Sequence, residues 1–104
     1  MGKRGCFVIK AKVRPDLWSS FVAWYETEHL PEAFARLGAD RASRLHDREE
    51  PFTHVAIYEF DDMDWIHSEP FELALQSLIN GFNQRWPDGV QRKRMFFDHE
   101  QQLP

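Results

Sequence analysis

Hydrophobic and polar positions along the chain switch between a period of two and a period near that of a helix, and the switches mark its elements. Phe7, Val8 and Ile9 run into lysines alternating with Ala11 and Val13, which predicts a strand from Cys6 to Val13. Arg14-Pro15-Asp16 ends it. Asp16 can cap the next helix, or Pro15 can open its first turn. Leu17, Phe21 and Trp24 then recur at helical spacing and predict a helix from about Asp16 to about His29. Pro31 lacks a backbone donor and disfavours α geometry at Leu30. The helix should therefore break near Glu28-His29, and a shorter helical piece, Pro31 to Leu37, should end at Gly38.

Ala39 to His46 reads as a second strand, arginine-rich (Arg41, Arg44) and so at an edge. Asp47 to Pro51 is a charged loop. Thr53 to Phe60 is the clearest strand, with His54, Ala56, Tyr58 and Phe60 on one face and Thr53, Val55, Ile57 and Glu59 on the other. Both faces are apolar near the middle, as in a central strand covered on both sides. Asp61-Asp62 can cap a short helix from Met63 to about His67. Ser68 then opens an amphipathic helix carrying Phe71, Leu75, Leu78, Ile79 and Phe82, which ends around Gln84 to Trp86. Pro87-Asp88-Gly89 is a turn, and Val90 to Phe97 is the last strand. The tail from Asp98 to Pro104 is polar, either loosely ordered or reaching a partner.

The order β-α-β-β-α-β is that of an α+β, ferredoxin-like domain, an antiparallel sheet with helices on one face. Such helices leave the other face of the strand at Thr53 to Phe60 uncovered. A second copy of the sheet is the economical cover, so the expectation is a homodimer that closes into a barrel.

With 104 residues the chain forms one domain, residues 1–104. An aromatic share of 14% argues for a pocket or interface as well as a core. A net charge of −4 gives no electrostatic footprint for nucleic acid. The run Arg92-Lys93-Arg94 reads as the solvated part of a strand. Cys6 is the one cysteine, so no internal disulfide forms, which fits a reducing cytoplasm. No apolar run approaches the roughly 20 residues that span a bilayer, so no membrane partner is expected. The start, Met1 to Gly5, has no long apolar segment behind it, which argues against a secretory signal.

Candidate chemistry concentrates between Phe21 and Phe34. On an ideal helix Glu28 falls in line with Leu17, Phe21 and Trp24, on the core stripe. A carboxyl there would have a raised pKa suited to acid or base work, or would pair with Arg36, Arg41 or Arg44. His29 can exchange a proton near neutral pH beside an aromatic cavity, or can cap the helix end. Trp24 and Tyr25 can line a cavity for a flat ligand or simply fill core and rim. His54 and Tyr58 flank the small Ala56 on one strand face, leaving room for a ligand that they could polarise, or they belong to the barrel core or dimer seam. Scattered histidines and a single cysteine argue against a metal site.

The segment Trp24-Tyr25-Glu26-Thr27-Glu28-His29-Leu30-Pro31 resembles the Trp-Tyr-x-x-Glu-His-hydrophobic-Pro signature of small EthD-like proteins, in the dimeric α+β barrel superfamily. Phe52 to Phe60 looks like that family's third strand, and the likeness runs roughly from Cys6 to Phe82. Leu37-Gly38-Ala39 departs from the Pro-Gly-aromatic turn of many relatives. The resemblance implies two sheets packed across a dimer interface, with a small-molecule cavity between sheet and helices in each protomer. The superfamily includes cofactor-free monooxygenases of aromatic polyketides, muconolactone isomerase, olivetolic acid cyclase and haem-degrading enzymes.

The expected function is a cofactor-independent enzyme acting on a small apolar, aromatic or polyketide-like molecule. Proton abstraction beside a carbonyl would lead to isomerisation, cyclisation or oxygenation. His29 would be the base or acid and Glu28 its tuner. Trp24, Tyr25, His54 and Tyr58 would bind and polarise the substrate. A non-catalytic binding module and a haem-binding or haem-degrading protein are the alternatives.

Overall fold

The computed structural model describes residues 2–104. Four strands, β1 (Gly5–Val13), β2 (Arg41–His46), β3 (Thr53–Phe60) and β4 (Val90–Asp98), form one antiparallel sheet in the order β2-β3-β1-β4. The helical segments α1 (Trp18–Trp24), α2 (Leu30–Leu37) and α3 (Glu69–Arg85) follow the expected β-α-β-β-α-β sequence. Strand register fixes which side chains meet. Ala11 pairs with His54, Ile9 with Ala56 and Phe7 with Tyr58. Their helix-facing side is buried, with Phe7, Ala56 and Tyr58 fully so.

The cap chemistry works as the residue types require. Asp62 accepts from the Asp64 amide at 2.9 Å, opening the 3-10 turn Met63–His67. Ser68 accepts from the Phe71 amide at 3.3 Å at the start of α3. Gly38 closes α2 in the left-handed region at φ 69°. Asp16 does not act as a cap. Pro15 opens a 3-10 turn (Pro15–Leu17), and Asp16 binds the Arg14 guanidinium at 2.6 Å instead.

The break expected at Glu28-His29 does not occur. The backbone stays helical from Trp18 to Leu37, and the segment Tyr25–His29 widens into a π turn in which the Leu30 amide reaches the Tyr25 carbonyl. A wider turn moves the preceding carbonyls away from the Pro31 ring, so the proline is carried without ending the helix. Within that turn the Thr27 hydroxyl donates to the Ala23 carbonyl at 2.7 Å.

This turn also decides which residues face inward. The buried positions are Phe21, Tyr25, His29, Ala33 and Leu37, each four residues from the last. On an ideal α-helix each such step would drift by about 40°, and the row would wind off the core. The π turn takes up that drift. It brings His29 onto the core face and turns Glu28 out to solvent, correcting the placement of Glu28 on the buried stripe.

On the opposite side of the sheet, Cys6, Val8, Val55, Ile57 and Met95 are half-buried, while Leu45 and Phe97 are exposed. Register sets Val8 beside both Ile57 and Met95, so these side chains form one apolar band. The tail beyond β4 returns along the first residues, with the His99 amide on the Arg4 carbonyl and Glu100 beside Lys3.

Candidate functional site

His29 is 8% exposed and lies at the meeting point of two spaces. Inside, between sheet and helices, is a cavity of about 20 Å³, room for one water, which His29 shares with Tyr58, Arg92, Arg94 and the α3 side chains Leu75, Leu78 and Ile79. Outside, α2 and α3 frame a cleft of about 450 Å³ lined by His29, Trp24, Glu32, Asn80 and Phe82 among others. The Arg36 side chain spans the cleft, donating to Glu32 at 3.2 Å and to the Ser77 hydroxyl at 2.9 Å.

Aromatic packing fixes the imidazole. Its ring stacks on Trp24 at 4.5 Å and 19°, and meets Tyr25 and Phe82 edge-on at 4.8 and 5.6 Å. Burial lowers its pKa to about 4; Glu32 opposes the shift and Arg92 adds to it. At neutral pH the ring is therefore uncharged, with a nitrogen free to accept a proton.

The Tyr25 and Tyr58 hydroxyls meet at 3.3 Å inside the core. Burial pushes Tyr25 up to about 12 and Tyr58 higher still, so both remain phenols. Only one of the pair can donate to the other, which leaves a second hydroxyl proton for another acceptor. His54 is 3% exposed and lies against Tyr25 at 4.4 Å and Phe21 at 5.4 Å.

The structure thus brings His29, Trp24, Tyr25, Tyr58 and His54 into one aromatic nest. Of these, His29 and Tyr58 face the inner cavity and His29 and Trp24 the outer cleft. Glu28 is exposed and belongs to neither space. It makes no ion pair among the described residues, since Arg36 pairs with Glu32 and Arg41 with Glu59 and Asp61.

Arg92 belongs to the site although its sequence context reads as a solvated run. Strand alternation turns Arg92 and Arg94 to the helix side and Lys93 to the other. The Arg92 guanidinium lies 3.7 Å over the Phe82 ring and donates to Asn83 Oδ1 at 2.7 Å. No carboxylate pairs with it among the described residues, and burial followed by the nearby Arg94 pushes its pKa down. Strand alternation is the signal in the sequence that could have found it, because positions 92 and 94 fall on the face of Val90.

Solved structures share this fold. SnoaB from Streptomyces nogalater, a cofactor-independent oxygenase, aligns over 99% of both chains at 20% identity with a TM-score of 0.56. A candidate antibiotic biosynthesis monooxygenase from Nitrosomonas europaea aligns at 12% identity over 95% of this chain and 92% of that one, TM-score 0.59. What these structures share with the chain is the fold, an antiparallel sheet with helices packed on it. An EthD family protein from Bacillus halodurans shares the fold, at 11% identity over 88% of this chain and 96% of that one, TM-score 0.58. No protein-family model matches the chain, and neither does any curated protein. Among the described residues, no helix is long and apolar enough to cross a membrane.

Proposed function

We propose that the chain is a cofactor-independent enzyme that removes a proton from carbon next to a carbonyl, in a small aromatic or polyketide-like molecule. The observation that carries this reading is the position of His29: a neutral imidazole at the junction of an apolar cavity and an open cleft. SnoaB, a cofactor-independent oxygenase of the same fold, supports it by analogy.

His29 accepts the proton. The negative charge left on the substrate oxygen is met by the Tyr58 hydroxyl and by Arg92, donors with no anionic partner of their own. A base with a pKa of about 4 is fully available at neutral pH but weak. It suits carbon acids whose anion is stabilised by aromaticity or a second carbonyl, which points to polyketide-like substrates. Glu28 has no part in these steps.

The inner cavity admits a ring only if a wall moves. One wall is α3, which contributes Leu75, Leu78 and Ile79 to the lining. Gly81 lies in its interior with open space around it, and a glycine there weakens a helix by roughly 1 kcal/mol relative to alanine.

The test is solvent-deuterium uptake into anthrone and 2-tetralone, followed by NMR. The wild-type protein is expected to accelerate uptake, and His29→Gln to lose roughly 10²–10⁴-fold while still binding the ketone. Trp24→Ala is expected to weaken binding instead. If Trp24→Ala abolishes binding and the wild type accelerates nothing, the chain is a binding module.

The reading includes a homodimer formed through the apolar band of the open sheet face. Placing a charge at its centre with Ile57→Lys is expected to give a folded monomer by sedimentation, where the wild type sediments as a dimer. A wild-type protein that stays a folded monomer at high micromolar concentration contradicts the pairing.

A further inference from the structure

A second cluster of polar atoms lies across the Tyr25 ring from His29, on the β2 side of the sheet. Arg44 Nη1 and both ring nitrogens of His54 are buried with no hydrogen-bond partner. Register places Arg44 opposite Ala56 and His46 opposite His54, so Arg44 and His54 are diagonal neighbours on the helix-facing side. Ala56, between them, presents only a methyl group.

No carboxylate answers this cation. Asp47 accepts from the Glu49 and Glu50 amides and lies beside Lys10. Asp40 accepts from the Asp61 amide, and Asp61 and Glu59 are taken by Arg41. Arg44 itself is in no ion pair among the described residues. Arg44 is half-buried, but its buried Nη1 donor and the His54 nitrogens are left without partners, a cost that an acceptor arriving from outside would relieve.

The adjoining surface indicates its shape. The seam between α2 and the β2 edge holds a groove of about 400 Å³, lined by Leu30, Pro31 and Phe34 on one side and Asp40, Arg41 and Ala42 on the other. Ala42 precedes Arg44 by two residues on the same strand face, roughly 7 Å along the strand. The groove is thus apolar along α2, carries Asp40 and Arg41 on its β2 side, and stops at Ala42, one step along the same strand face from Arg44.

We propose that this seam binds a small amphipathic carboxylate, its acid group on Arg44 and His54 and its apolar body on Leu30, Pro31 and Phe34. His54 adjoins the His29 site through the Tyr25 ring, but carboxylate binding here uses neither His29 nor proton transfer and stands whether or not the chain is an enzyme. Burial, then Arg44, then His46 and His29 hold His54 down at about 4, so without a ligand its ring is neutral and one nitrogen is a donor.

The test uses 3-phenylpropanoate and its neutral amide, 3-phenylpropanamide, with calorimetry and thermal melting on the full chain. The acid is expected to bind at least about tenfold more tightly than the amide. Arg44→Met, which keeps the apolar stem, is expected to abolish that preference and to raise the melting temperature of the ligand-free protein. Arg44→Lys is expected to retain part of the preference. The site is refuted if acid and amide bind alike, if neither binds at about 10 mM, or if Arg44→Met keeps the preference. A fall in the ligand-free melting temperature of Arg44→Met would show that Arg44 already has its counter-charge, and would also overturn the proposal.

Discussion

Replacing Phe21 by alanine is expected to destabilise the protein by about 3–5 kcal/mol, the range for removing a fully buried aromatic ring. Phe21 is 0% exposed. Its ring lies 5.4–6.2 Å from those of Trp24, Tyr25, His54, Phe82 and Trp86. Those neighbours come from α1, the π turn, β3, α3 and the end of α3, so one side chain ties both long helical segments to the sheet. Collapse cannot refill the space cheaply, because each neighbouring ring is held by others; His29, for instance, is stacked on Trp24. A domain of this size has a total stability of about 5–15 kcal/mol, so the loss would take a large share of it. Urea unfolding would measure it, and a change below about 1 kcal/mol would mean that the hub is not packed as described.

Mild acid is expected to weaken the fold through two buried histidines. His29 and His54 both have folded-state pKa values lowered to about 4 by burial. In the unfolded chain both return to about 6.5. The unfolded state therefore binds up to two more protons than the folded state between those values, and stability rises with pH across that window. The stabilisation is fully present above about pH 6.5 and is lost as pH falls toward 4. Each tenfold change in a proton-binding equilibrium is worth about 1.4 kcal/mol, so the loss should be on the order of 3–6 kcal/mol in total, discounted because the two rings interact. The exposed carboxylates of Asp16, Asp47 and Asp61 are held below their ordinary range by Arg14, by the Glu50 amide and by Arg41 respectively, so they titrate below this window. Melting temperature recorded from pH 7.5 to 4.5 checks the point. The double variant His29→Gln, His54→Gln is expected to flatten the slope. A wild-type melting temperature that does not change over that range would mean that the rings are not buried and neutral.

Much of this arrangement is legible in the sequence, because local chemistry and long-range packing agree there. Ser68 three residues before Phe71, and the alternation in β3, specify their elements without help from the rest of the chain. The π turn lies beyond that kind of reading. An ideal helical angle puts Glu28 inward, and only the strict four-residue recurrence from Phe21 to Leu37 betrays a wider turn. Pro31 compounds the error, since its usual effect is to end a helix. Arg92 is hidden in a charged run whose alternation along a strand separates it from Lys93. The relation of Arg44 to Ala56 and His54 depends on the β2–β3 register, which no stretch of sequence carries alone.

The most direct test of the role given to His29 is the pH dependence of solvent-deuterium uptake into anthrone, measured for the wild type and for His29→Gln. With His29 as the base, the wild-type rate should be nearly constant from about pH 5.5 to 8, because the imidazole is unprotonated throughout. The variant should fall to the uncatalysed rate, which rises with hydroxide. A wild-type rate that follows hydroxide alone, or a variant that keeps the wild-type rate, would contradict the role of His29 as the base.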